Sequence, residues 1–144
     1  MILQGLYWAK LNMLITSGLM LVLAACGGGT VTMGFIEFSQ GDPVNIELPE
    51  MVNRGEDFQV TVRTYAGGCE REISRTNVRI DDMEALIVPY NVKTNSQSCT
   101  ADMLFLNHVA TLSFEQVGTA TITVRGRSRV QGGTINVVRT VTVQ

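Results

Sequence analysis

From about residue 44 to the C-terminus, apolar and polar residues alternate with period two, and no segment sustains a helical period. Successive side chains of a strand point to opposite faces, so this alternation predicts strands with one buried and one wet face. Val44 to Leu48 predicts a short strand, and Phe58, Val60 and Val62 form the apolar face of a second. Asn77 to Asp81 predicts a weaker strand that ends in an acidic turn. Leu86, Val88, Tyr90 and Val92 share a face of the next, and Pro89, which has no amide donor, predicts a sheet edge there. Ala110, Leu112 and Phe114 define an inward face on a strand ending near Glu115, and Ala120, Ile122 and Val124 define another after Gly118. Thr134 to Val143 closes the series, but Arg139 interrupts the face carrying Ile135, Val137 and Val141. A bulge near Val138 or an exposed end would resolve that conflict. Val31 to Phe38 adds a leading strand, weakened by Gly34.

Short strands at this spacing, with no crossover helices between them, predict an all-β antiparallel sandwich. The run Phe114-Glu115-Gln116-Val117-Gly118-Thr119-Ala120-Thr121-Ile122-Thr123-Val124 resembles the corner of bacterial immunoglobulin-like domains. In that corner an aromatic strand end, a glycine turn and an alternating Thr/Val strand follow one another. The resemblance implies an immunoglobulin-like β-sandwich, with Ala120 standing where such domains often carry tyrosine.

The first 25 residues follow a different pattern. Lys10 supplies a positive charge, Leu11 to Leu23 is mostly apolar, and the small residues Ala24 and Ala25 follow, which is the order of a secretory signal helix that is later cleaved. Asn12, Thr16, Ser17 and Gly18 interrupt the apolar run, whereas a membrane-spanning helix needs about 20 apolar residues. Leu23-Ala24-Ala25-Cys26 resembles the lipobox of bacterial lipoproteins. That resemblance implies cleavage after Ala25, a diacylglyceryl group on the Cys26 sulfur and acylation of the new amino group. Gly27, Gly28 and Gly29 then read as a flexible tether. The expected organisation is therefore a signal peptide over 1–25, a lipidated cysteine, tether and leading strand over 26–43, and the sandwich over 44–144. Gly27 is not the aspartate associated with inner-membrane retention, so the expected location is the cell envelope, at the outer membrane of a diderm cell.

Charge and cysteine count narrow the picture further. The net charge is -2, and losing Lys10 with the signal makes it -3, which argues against nucleic acid and its demand for clustered cations. Assigning Cys26 to the lipid leaves Cys69 and Cys99, an even number in an oxidising compartment, and so predicts one disulfide. Two separated cysteines and a single histidine do not compose a zinc site, and no cofactor is expected.

Candidate chemistry is sparse. His108 lies near the start of a strand on the parity of Ala110 and Leu112, and reads as a partly buried strand-end residue before it reads as a general base. Asp81, Asp82 and Glu84 cluster at a turn without the Asp/Asn and Gly pattern of a calcium loop, so they read first as a solvated acidic turn. Arg125, Arg127 and Arg129 alternate on the face of Thr119, Thr121 and Thr123, where they would meet an anionic partner or discourage sheet-to-sheet aggregation. Met103 to Leu106, four consecutive apolar residues, reads as core. These features predict a lipid-anchored, non-enzymatic module that binds or supports an envelope protein or glycan. A small-ligand or carbohydrate-binding lipoprotein is the alternative, and a hydrolase using His108 is a third reading.

Overall fold

A computed structural model describes residues 29–144, so the expected signal segment 1–25, Cys26, Gly27 and Gly28 lie outside the described residues. The described chain is all-β: β1 (Thr30–Met33), β2 (Phe35–Glu37), β3 (Ile46–Glu47), β4 (Met51–Val52), β5 (Phe58–Gly67), β6 (Glu70–Asp81), β7 (Glu84–Lys93), β8 (Met103–Leu112), β9 (Gly118–Ser128) and β10 (Gly133–Val143). Pairings run from β7 through β6, β5, β2 and β9 and return to β7, which closes the sheet into a barrel. β3 and β8 add to β5, β10 adds to β9, and β4 adds to the end of β10.

Three pairings are parallel, β7 with β9, β2 with β9 and β4 with β10, which corrects the expectation of a purely antiparallel sandwich. Parallel neighbours need long connections. Here β8 carries the chain away from β7 before β9 returns to it, while β2 and β4 are far in sequence from the strands they join. Side-chain alternation reports which face is buried and says nothing of strand direction.

The core is built from the alternating faces. Val60 and Val62 of β5, Ala110 and Leu112 of β8, Ile122 and Val124 of β9, and Val141 and Val143 of β10 are buried together with Phe114. Ile36 of β2 is fully buried among them, so the leading strand is part of the core. Its close seating on β9 requires Gly126, because a Cβ there would fall 2.6 Å from Ile36 Cγ2. At the corner before β9, Gly118 takes φ 135°, the left-handed side that glycine adopts at little cost.

Three local expectations change, and the alternative left open at Arg139 is decided in favour of exposure. On β7 the residues turned to the core are Ala85, Ile87 and Asn91, the face opposite to Leu86, Val88, Tyr90 and Val92. Pro89 is not at a sheet edge, since β7 lies between β6 on one side and β9 followed by β1 on the other. β9 pairs with β7 up to Ile87 and β1 begins pairing at Tyr90, so Pro89 sits at the seam where no amide donor is demanded. β6 extends back to Glu70, well beyond the segment 77–81, because exposed polar residues line most of it and hide its alternation. In β10 the register with β9 is continuous, so there is no bulge at Val138. Arg139 is exposed on the inward parity of a strand whose outer edge meets β4 only at Thr142 and Val143. A charge in that position hinders a second chain from pairing with the open edge.

Candidate functional site

Along β5, β7 and β8 the inward face begins apolar and turns polar near one end of the barrel. Thr64 follows Val60 and Val62, Asn91 follows Ala85 and Ile87, and His108 precedes Ala110 and Leu112, all of them buried. Glu70, at the start of β6, is 8% exposed and joins them. Buried polar groups persist only when they are hydrogen-bonded to one another.

The bonding directions follow from Glu70, whose carboxylate only accepts. Arg127 Nη2 donates to both Glu70 oxygens at 2.8 Å, and Asn91 Nδ2 donates to Glu70 Oε1 at 2.9 Å and to Thr64 Oγ1 at 3.3 Å. Asn91 Oδ1 therefore faces His108 Nε2 as an acceptor at 2.8 Å, which assigns the ring proton to Nε2. Nδ1 is left to accept from the Thr76 hydroxyl at 3.0 Å. The ring is 1% exposed and both nitrogens are engaged, so neutral His108 has no lone pair free for a substrate proton. It lies within β8 as a buried member of a polar chain, not as a partly buried strand-end residue.

Burial holds the His108 pKa down to about 4 from its ordinary 6.5. Between those values the unfolded chain binds a proton that the folded chain refuses, so stability is complete above pH 6.5 and falls as the pH drops toward 4. The loss expected across that window is about 3 kcal/mol. Urea unfolding followed by circular dichroism from pH 7 to 4 reads it, and His108→Gln is expected to flatten the slope. Equal slopes in both proteins would remove His108 as the cause.

On the outer side of the same end lies a cleft of about 380 Å³, lined by Phe35, Phe38, Tyr65, Gly67, Gly68, Glu70, Asp102, Met103 and Arg129 among others. Phe38 stacks on Tyr65 with ring centroids 5.9 Å apart, and Tyr65 meets Phe105 at 5.1 Å. Arginines cover these rings: Arg129 lies 4.5 Å from the Phe38 centroid, Arg127 3.8 Å from Phe35 and Arg63 5.7 Å from Phe105. Burial, helped by the charge of Asp42, raises the Tyr65 phenol above its ordinary pKa of 10.0. Arg71 bonds to Asp102 at 2.7 Å and holds its carboxyl down to about 2. Met103 and Phe105 are half-exposed beside the cleft, so the run from Met103 to Leu106 is not core. Its alternate residues stand on the outer face of β8, as strand geometry requires.

The three arginines of the Thr/Val strand do not form one open face. Arg125 bonds Asn136 at 3.0 Å, Arg127 is half-buried on Glu70, and Arg129 reaches the cleft. The acidic turn is likewise divided, with Asp81 3.6 Å from Arg79, Asp82 bonded to Gln116 and Glu84 exposed. Among the described residues no group of three or more His, Cys, Asp and Glu is placed to hold a metal ion. Cys69 and Cys99 form the predicted disulfide, with Cα atoms 5.0 Å apart, joining the β5–β6 turn to the loop before β8. Glu70, Asn91 and Thr64 were missed in the sequence, although each continues the parity of an apolar strand face or abuts the disulfide.

One row of pairings locates these features relative to the start of β1. Thr30 pairs with Lys93, Lys93 with Glu70, Glu70 with Gly67 and Gly67 with Met103. The start of β1, the disulfide, the polar chain and the cleft therefore share one end of the barrel. No family model, curated protein or solved structure matches this chain.

Proposed function

We propose that the protein is a lipid-anchored module of the bacterial cell envelope that acts by binding, with an immunoglobulin-like domain held on the acylated Cys26. The cleft and the adjoining row of β8 are its binding face. The observation that carries this reading is the half-exposed pair Met103 and Phe105 beside an arginine-covered aromatic cleft, at the end where the tether joins. Apolar side chains of that size gain free energy by leaving water, and a patch rimmed by cations and carboxylates marks an interaction site. The immunoglobulin-like assignment is supported by the corner from Phe114 to Val124, where Phe114 is buried and β9 starts at Gly118. A hydrolytic role is disfavoured by the engagement of both His108 nitrogens.

Metabolic labelling with palmitate and cross-linking in intact cells test the two parts separately. Cys26→Ala is expected to lose the label and leave the membrane fraction. Phe105→Ser is expected to keep the label and lose the species captured by cross-linking. Label retained by Cys26→Ala would refute the anchor, and an unchanged capture by Phe105→Ser would refute the face.

A further inference from the structure

We propose that this face binds the surface of the anionic bilayer itself, so that the domain rests tether end down with Met103 and Phe105 at the headgroup level. The inference depends on the anchored reading above. Its first support is reach. Four residue steps separate Cys26 from Thr30, and an extended chain spans at most about 14 Å over that length. Thr30 begins β1 at the same end of the barrel as Lys93, Gly67 and Met103, so this end is held near the bilayer surface, within the reach of that short segment.

Charge supplies the second support. The opposite end, formed by the β6–β7 turn, the segment before β5 and the corner before β9, carries Glu50, Glu56, Asp57, Asp81, Asp82, Glu84 and Glu115, all exposed, against Arg54 and Arg79. An anionic surface repels that pole. The tether end is much less acidic: Asp102 is matched by Arg71 at 2.7 Å and Glu70 by Arg127 at 2.8 Å, and the exposed Lys93 and Arg129 stand against Glu37, Asp42 and Glu72. The third support is where the apolar surface lies. Met103, Phe105 and Val130 of this end are each about half-exposed beside arginines, whereas Met51 and Val117, exposed at the far pole, stand among its carboxylates. Apolar side chains among arginines suit the interface, where the rings sit below the headgroups and the guanidinium groups remain among them.

The only tryptophan of the chain, Trp8, lies in the signal segment, so the mature protein can carry one introduced reporter. Full-length protein would be expressed in bacteria as Phe105→Trp or, at the far end, Val117→Trp, and purified after palmitate labelling. Each variant, checked for its disulfide and β-sheet circular dichroism, would be placed in phosphatidylethanolamine and phosphatidylglycerol vesicles containing brominated lipid. Phe105→Trp is expected to shift its emission to the blue and lose most of it to bromine, while Val117→Trp keeps both unchanged. Lipidated protein in which Phe105→Trp is unquenched, or both variants are quenched alike, overturns this orientation and leaves the anchor standing. Absence of palmitate on Cys26 overturns both. Capture of a protein or glycan in place of lipid by a photoreactive group at position 105 also overturns it.

Discussion

Arg127→Leu is expected to destabilise the domain by about 3 to 5 kcal/mol, the cost of leaving one member of a buried ion pair without its partner. The Glu70 side chain is 11% exposed, and Arg127 Nη2 lies 2.8 Å from its carboxylate. Once the guanidinium is removed, Glu70 keeps only the Asn91 amide as a donor in that chain. Water has little access to make good the loss. The guanidinium also lies 3.8 Å from the Phe35 ring centroid, and its Nη2 donates to Thr32 Oγ1 at 3.4 Å, so it joins β9 to both leading strands. Adding Glu70→Gln to Arg127→Leu is expected to restore most of the stability, since an amide can be buried with fewer partners than a carboxylate. Urea midpoints for the two single variants and the double variant give the coupling. If Arg127→Leu costs as much in the Glu70→Gln background as alone, the ion pair is not the source of the loss.

That prediction concerns residues whose roles alternation does not display. Val60, Val62, Ala110, Leu112, Ile122 and Val124 are buried as expected, because a strand with one face on a core must repeat apolar residues every second position. Cys69 and Cys99 were legible for a different reason, since assigning Cys26 to lipid leaves those two as a pair. The parallel pairings were not legible, because the same alternation serves either direction of a neighbour. The start of β6 was hidden by exposed residues on both its faces, from Arg71 to Ile73. Thr64, Asn91 and His108 lie on buried parities, but only the folded barrel shows that their polar groups meet each other and Glu70. The outward aim of Met103 and Phe105 was concealed by Leu104 and Leu106 between them, a continuous apolar run that strand geometry divides between two faces.

Replacing both Cys69 and Cys99 by serine is expected to lower stability by roughly 3 to 4 kcal/mol in the chain-entropy model for closing a loop of this length. The bond spans a sequence separation of 30 and encloses β6 and β7. Around it the loop before β8 is fastened by polar contacts. Thr94 donates its amide to Cys69 O at 2.8 Å, and Arg71 reaches Thr100 and Asp102 at 2.8 and 2.7 Å. Residues 93–103 are exposed, so little apolar burial is available to replace the crosslink. Because Thr100, Ala101 and Asp102 line the cleft, loosening this loop is expected to reach the cleft before it reaches the core. Amide hydrogen exchange on the double serine variant would then show faster exchange in residues 94–102, with Val60, Ile122 and Val124 slowed relative to them. A loss of stability well under 1 kcal/mol on urea unfolding would show that the unfolded chain already holds these residues close together, and that the bond serves to shape the cleft without stabilising the barrel.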